Sequence, residues 1–393
     1  MIRHLFTLIW NKKRAHSLLI VEIWASFMVL FGLASLLVYN LNNYREPLGF
    51  TYEHVWVVDL NNNQDTTDVP GKVQRLMQRI KAYPEVEAAS RMSDNSPFSA
   101  NTTNNGITRG KRRVMMDYYG TDESFPTVLE MPLASGRWYK AADSVGKYRA
   151  VVINQKAKEV LFDGEDPVGK LLGEKPKEND GSRQQKIVGV VEIFKAKGEF
   201  MTNKPAIFQQ LDANEAYNRK ILIKLKPGTD AVFEAKLVKN ITAMVTGWSV
   251  DVDHLTESRE NQHNLTLVPV IIFVIVCSFL LINVALGLFG VLNVSITRRR
   301  GEIGLRRALG ATEGSISWQF VGEMWVLATF ALVLGLLLAA QFPLLNVFDL
   351  ASNVYVIAII IAALIVYLLV TLCALFPSRQ AATIQPAVAL HEE

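Results

Sequence analysis

Four apolar runs interrupt an otherwise polar chain, and each is long enough to cross the ~30 Å hydrocarbon core of a bilayer as a helix. They are Leu18–Tyr39, Val268–Val294, Trp318–Ala340 and Val354–Phe376. The polar stretch between the first two, residues 40–265, can bury a core of its own. It opens with a strand, His54–Leu60 (HVWVVDL), then a helix from about Val69 to Tyr83 with Val73, Leu76, Met77 and Ile80 on one face, then a strand, Val86–Met92. The same order returns near its end: strand Ile221–Leu225, helix Asp230–Val245 with Val232, Phe233, Leu237, Ile241 and Met244 facing in, and strand Ser249–Asp253. Two β-α-β units around an insertion predict a two-part α/β subdomain, about 50–92 and 217–255, enclosing an inserted subdomain, about 93–216. Ala150–Ile153 and Ile187–Val191 read as strands of the insertion, and Asn101–Gly106 and Lys175–Arg183 as exposed loops. The expected fold class is a membrane protein: four transmembrane α-helices with a large α+β extracytoplasmic domain inserted between helices 1 and 2. Thr256–Thr266 has helical composition and extends the second span outward as a stalk. A bend is expected at Pro269, because a proline inside a helix removes a hydrogen bond.

Charge orients the spans. Of 393 residues half are hydrophobic and the net charge is only +4. The basic excess sits in short loops beside the apolar runs, so nucleic acid is not needed as a partner. Arg3, Lys12, Lys13 and Arg14 place segment 1–17 in the cytoplasm, and Arg298, Arg299, Arg300, Arg306 and Arg307 do the same for loop 295–317. Arg379 puts the tail 377–393 there too, while link 341–353 has no Lys or Arg and fits the outside. The first apolar run is too long for a signal peptide and no small-x-small cleavage site precedes Asn40, so it reads as a retained anchor. Cys277 and Cys373 both fall inside apolar runs, and neither a disulfide nor a metal site is expected.

Candidate chemistry is sparse. Gly164–Lys170 (GEDPVGK) matches the first seven positions of a phosphate-binding loop. Leu171 stands where the Mg²⁺-binding hydroxyl belongs, Pro167 offers no amide, and a helix (Gln155–Phe162) rather than a strand precedes it. It reads as a turn. Asp251, Asp253 and His254 read as a solvated strand end, and no residue is assigned a catalytic role. Glu22 and Glu323 lie within the first and third spans, where a central acid costs ~2.5–3.5 kcal/mol. Snorkelling to the headgroups and pairing, for example of Glu323 with Arg306 or Arg307, are both open. Asn283 in the second span can hydrogen-bond to a neighbouring helix or to its copy in a dimer. The stretch Thr297–Thr312 (TRRRGEIGLRRALGAT) is helix-compatible, with Ile303, Leu305 and Leu309 forming a small apolar edge among basic groups. Two readings stand: a topology signal touching lipid headgroups, or a docking helix for a cytoplasmic partner.

The stretch Gly287–Thr312 (GLFGVLNVSITRRRGEIGLRRALGAT) resembles the signature of MacB/FtsX/LolC-type ABC transporter permeases. Gln319–Glu323 (QFVGE) and Phe376–Leu390 (FPSRQAATIQPAVAL) resemble further family motifs, and Gly136–Tyr139 with Asp143, Val151–Asn154 and Leu161–Lys170 resemble a MacB-type extracytoplasmic domain. The resemblance implies a permease subunit in a bacterial inner membrane, both termini cytoplasmic and the large domain periplasmic. It would pair with a second permease subunit, as homo- or heterodimer, and dock on a cytoplasmic ABC ATPase subunit that binds ATP and Mg. No cofactor is expected in this chain, which is read as a non-enzyme because no ATPase domain flanks it. Glu302, Ile303, Gly304, Leu305, Arg306, Arg307, Ala308, Leu309 and Gly310 would form the coupling helix, its apolar edge in a groove of the ATPase and its arginines on acidic rim residues or headgroups. The implied work is mechanotransmission: ATP-driven closure moves the outer domains and drives export or extraction of a drug, peptide or lipoprotein, with a periplasmic adaptor or outer-membrane channel as a further partner. The alternative is an FtsX-like regulator that activates a cell-wall enzyme without moving a substrate. Thr297–Arg300 lacks the glutamate usual near the start of the motif, and Gln380 replaces a basic residue common in the tail.

Overall fold

The computed structural model describes residues 13–173, 183–212, 219–345, 347 and 350–382. Arg3, Lys12, residues 175–182 of the expected loop and the tail beyond 382 therefore lie outside the described residues. Two compact units emerge: Asn43–Thr266, and a second made of the residues before and after it.

In chain order the helices and strands are α1 (Lys13–Arg45), β1 (Val55–Asn61), α2 (Val69–Lys81), β2 (Val86–Met92), β3 (Asn104–Arg109), β4 (Arg112–Thr121), α3 (Phe125–Val128) and β5 (Leu133–Gly136). Then come β6 (Arg149–Asn154), α4 (Gln155–Phe162), β7 (Leu171–Leu172), β8 (Gln185–Val191), β9 (Ala206–Gln210), β10 (Lys220–Leu225), α5 (Ala231–Met244) and β11 (Ser249–His254). The chain closes with α6 (Leu255–Arg298), α7 (Arg300–Ala308), α8 (Glu313–Ala339), α9 (Gln341–Leu344) and α10 (Ser352–Ala382).

The strands of Asn43–Thr266 form one sheet in the order β11-β1-β10-β2-β4-β9-β6-β8-β5, with β3 on β4 and β7 on β8. The two β-α-β units interleave, since β1 lies antiparallel between β10 and β11, and β2 pairs with the far side of β10. Both faces of these strands are covered, which is why β1 is apolar nearly throughout. Trp56, Val58 and Leu60 meet Val73, Leu76 and Ile80 of α2 and Phe233, Leu237 and Ile241 of α5. Val55 and Val57, on the other face, join a second core with Tyr119, Phe125, Trp138 and Phe208. The segment expected as a separate insertion continues this sheet, joined through the pair Met92↔Thr121. Beyond the junction β4 runs parallel to β9 and β6 parallel to β8.

Polar groups fix the corners. Asn154 caps α4, its Oδ1 accepting from the amides of Ala157 (3.0 Å) and Ala206 (2.9 Å) while its Nδ2 donates to Lys204 O (2.7 Å). At the other end of α4, Arg109 donates to Leu161 O (2.6 Å) and Arg112 to Val160 O (3.3 Å), supplying donors to carbonyls that a helix end leaves unpaired. The loop after β8 forms a buried clasp. Lys195 Nζ donates to Asn43 O (2.5 Å) and Glu199 O (2.7 Å), and the Glu199 carboxylate takes Arg259 Nε and His263 Nε2, each at 2.5 Å. Burial pushes the Glu199 carboxyl up, but the hydrogen bonds from His263 and Arg259 outweigh it and leave it below its ordinary value.

In the other unit α1, α6, α8 and α10 are long and apolar enough to cross a membrane. α6 passes through Pro269 within a single helix, so the expected bend does not end it. Small residues let the helices approach. Ala358, Ala362, Val366, Val370 and Ala374 recur every fourth residue on the buried face of α10, and Ala331, Gly335 and Ala339 do so on α8. A Cβ on Gly335 would lie 2.3 Å from the Phe27 ring, so α1 and α8 touch where no side chain fits between them.

Asp65 offers a test of the outer unit. Its carboxylate accepts from Lys72 Nζ (2.5 Å), Trp248 Nε1 (2.7 Å) and Thr67 N (2.9 Å), and these bonds hold it far below the usual carboxylate range. A folded-state value below the unfolded one adds stability that is complete above about pH 4 and is lost as the pH falls through the folded value. Asp65→Asn is expected to lower the thermal midpoint of the detergent-solubilised chain at pH 7, with the gap to wild type closing in melts run progressively below pH 4.

Candidate docking site

α7 is a nine-residue helix held between two turns. The helix direction breaks at Arg299 (φ −109°, ψ 17°), which separates it from α6. At its other end Gly310 adopts φ +94°, with its amide on Arg307 O (3.0 Å) and the next amide, Ala311, on Arg306 O (3.0 Å). This is the paired closure of a left-handed C-cap, for which glycine carries no Cβ penalty. Thr312 then caps α8, its hydroxyl accepting from Ser315 N (3.3 Å). Glu302 in the first turn of α7 and Arg306 and Arg307 in the last also suit the helix dipole.

The expected apolar edge of Ile303, Leu305 and Leu309 is divided. Positions 303 and 305 are about 200° apart on a helix of 3.6 residues per turn, so they cannot share a face. Ile303, 3% exposed, turns in and packs with Ile296, Ile316 and Phe320, while Gly304 is buried beside it. Leu305 and Leu309 are 52% and 80% exposed, and with exposed Ala308 they make an outward apolar stripe at i, i+3, i+4 spacing.

Arg299, Arg306 and Arg307 each make side-chain contacts that fix the corner. Arg306 binds Glu302 Oε1 (2.5 Å) and Gln319 Oε1 (2.6 Å), and Arg307 binds Glu313 Oε1 (3.0 Å) and Ala311 O (3.2 Å). Arg299 Nη1 reaches both oxygens of Glu323, at 3.0 and 2.9 Å. The partner of Glu323 is thus Arg299 rather than Arg306 or Arg307, because the break at Arg299 brings that side chain against α8. Position along the arginine loop does not by itself single out Arg299 for this role. The i, i+4 spacing of Gln319 and Glu323 was the one available sign that α8 offers a polar face here.

The other intramembrane polar residues lie elsewhere. Glu22 is half-buried, with its carboxylate against the backbone of Gly287, where an added Cβ would come within 2.9 Å of it. Asn283 is exposed and donates back to Phe279 O of its own helix (2.8 Å). It shares the outward side of α6 with Phe279, Ile282 and Leu286, which the other described residues leave uncovered.

The GEDPVGK segment is a turn after α4, with Gly164 and Gly169 at φ +87° and +85°. The Gly169 amide is spent on Ile187 O (2.8 Å), that of Val168 on Asp166 Oδ1 (3.1 Å), and Lys170 on Glu165 (2.6 Å), so the amides a phosphate cradle needs are occupied. Asp251 and Asp253 are exposed on β11, and His254 stacks on Trp56 (4.7 Å between centroids) and bonds to Glu234 (3.0 Å). The chemistry on offer is therefore recognition by a short helix with an apolar stripe.

A family model described as MacB-like periplasmic core domain matches residues 25–239, and one described as FtsX-like permease C-terminal matches residues 270–386. The Macrolide export ATP-binding/permease protein MacB of Pasteurella multocida (strain Pm70) is 27% identical over 300 residues, covering 72% of this chain and 44% of that protein. Its counterpart in Bartonella quintana (strain Toulouse) is 26% identical over 351 residues, covering 83% of this chain and 51% of that protein. The chain thus spans about half or less of the length of these relatives. Among solved structures, the periplasmic region of MacB from Actinobacillus actinomycetemcomitans aligns with a TM-score of 0.39 and 14% identity over 56% of this chain and 98% of that one.

The cap at Gly310 can be tested directly. An L-residue held at this left-handed φ costs about 1–2 kcal/mol. Gly310→Ala is expected to speed hydrogen exchange at amides 310 and 311 about 5- to 30-fold, read by exchange mass spectrometry on the turn peptide.

Proposed function

Because this chain belongs to the MacB-like family of ABC transporter permeases, with a MacB-like core domain followed by an FtsX-like permease domain, we propose that it is a permease subunit driven by an ABC ATPase that docks on α7. The observation that carries this is the outward pair Leu305 and Leu309, held on a helix whose opposite face is anchored by Ile303. An apolar stripe presented on a nine-residue helix between two spans suits an amphipathic helix-in-groove contact. Arg298 and Arg300, also exposed, would meet acidic rim residues of the ATPase or lipid headgroups.

The work proposed is mechanotransmission. α6 is one helix from Leu255, directly after β11, to Arg298, directly before the corner at Arg299. Displacement of α7 by ATP-driven closure would travel along it. The clasp of Glu199 with Arg259 and His263 grips the first turns of the same helix and would carry the motion into the sheet domain. The uncovered side of α6, with Asn283, is the proposed meeting face for a second permease subunit. The proposed location is the plasma membrane with cytoplasmic termini and an extracytoplasmic domain, and the positive-inside distribution supports it. The proposed cargo is a drug, peptide or lipoprotein exported or extracted at the outer face, with a periplasmic adaptor or outer-membrane channel as a further partner. ATP and Mg would be bound by the ATPase.

Full burial of a leucine side chain provides about 1.5–3 kcal/mol. Leu305→Asp and Leu309→Asp are each expected to weaken association with the copurifying ATPase at least about 10-fold and to abolish stimulated ATP hydrolysis, with membrane insertion unchanged. Pull-down from detergent extracts with mass spectrometry checks this. Normal recovery of the ATPase with both variants would sink the docking assignment, and recovery of a cell-wall hydrolase in place of transport partners would favour a regulatory role.

A further inference from the structure

A chain of polar contacts ties both ends of α7 to a single face of α8. At the start of α7, Arg299 binds Glu323, and both side chains are only 17% exposed. One turn earlier on α8, Gln319 Oε1 accepts from Arg306 in the last turn of α7 (2.6 Å), and its Nε2 lies 3.5 Å from Glu323 Oε1. Arg306 closes the chain on Glu302 (2.5 Å). Beneath it, Ile303 fills a corner with Ile296, Ile316 and Phe320.

Two features single out this arrangement. First, withdrawing an arginine–glutamate pair from water is expensive, and apolar residues of similar volume commonly replace such pairs without loss of stability. A pair retained here supplies something packing does not, namely a directional contact whose two oxygens and one guanidinium nitrogen set an angle. Second, a nine-residue helix with glycines at 301 and 304 is weak in isolation. Four apolar residues at one corner resist separation from α8 but leave rotation of α7 about its own axis poorly determined. Tethers at Arg299 and Arg306, seven positions and two turns apart, remove that freedom. With Ile303 down and both tethers made, Leu305 and Leu309 must point out together.

We infer that Glu323 is a positioning residue for the docking helix: through Arg299, and through Gln319 to Arg306, it fixes the rotation of α7 so that Leu305 and Leu309 stay presented as one stripe. This rests on the docking reading above. It also makes the corner stiff, so that displacement of α7 passes jointly to α8 and the end of α6 rather than being absorbed by a hinge.

The test uses the full chain in nanodiscs, with Cys277→Ala and Cys373→Ala as background and spin labels at Ala308→Cys and Val333→Cys. Wild-type pairing is expected to give a narrow distance distribution. Glu323→Gln is expected to broaden it and to weaken binding of the copurifying ATPase about 3- to 10-fold, and the charge swap Arg299→Glu/Glu323→Arg to restore both. A merely structural role for Glu323 would not be rescued by exchanging the charges. A distribution as narrow in Glu323→Gln as in wild type, or a swap that recovers neither readout, overturns the inference. Leu309→Asp separates the two claims: if it still binds the ATPase, docking on α7 is wrong, while the label distances continue to judge the tether alone.

Discussion

Hydrocarbon offers no hydrogen-bond partners, and this constraint shapes every part of the membrane unit. The backbone must satisfy itself, so the spans are helices, and side-chain polarity is favoured where a partner is within reach. Several polar side chains have a local solution. Asn283, Ser278 and Thr297 donate back to carbonyls one turn earlier on α6, and Ser317 on α8 meets Ser378 on α10 (2.9 Å). Glu323 takes an arginine from the adjoining corner. Because lipid is as apolar as leucine, packing cannot rely on exclusion from water, and the buried faces of α8 and α10 carry alanine, glycine and valine at four-residue spacing.

The same constraint explains why α7 suits the recognition role proposed for it. Its neighbours α6 and α8 carry apolar side chains that lipid or a second subunit covers equally well. At the corner the chain leaves hydrocarbon, water competes again, and burial of leucine regains its full driving force. A short helix is then the smallest element that can present two leucines at fixed spacing. Its own weakness is offset by the Gly310 closure and by the tethers to Gln319 and Glu323.

The sheet domain solves a different problem. Its strands are covered on both faces, so its side chains form several cores rather than one, and its polar groups serve corners and loops. Asn154 satisfies three backbone groups at once, and Glu199 gathers an arginine and a histidine from the start of α6 while Lys195 beside it binds the end of α1. Buried charge of this kind adds little net stability but strongly penalises any arrangement that leaves one partner unpaired. It ties the loop after β8 to both helix ends.

Much of this was legible in the amino-acid order alone. Length and apolarity delimit the spans, period-two and period-3.6 patterns locate β1, α2, β2, β10, α5 and β11, and the arginine cluster marks the corner, because each depends on residues adjacent in the chain. Partner choice was not legible. Nothing along the chain says that Ile303 rather than Leu305 turns inward, since either choice leaves an apolar residue exposed; the hollow formed by Ile296, Ile316 and Phe320 decides it. Nor could spacing select Arg299 over Arg306 or Arg307 for Glu323, because the selection depends on the angle at one broken helix turn. The continuity of the sheet through Met92↔Thr121 was hidden for the same reason. Local pattern determines which elements form, and through-space geometry alone determines which of several chemically equivalent partners each one meets.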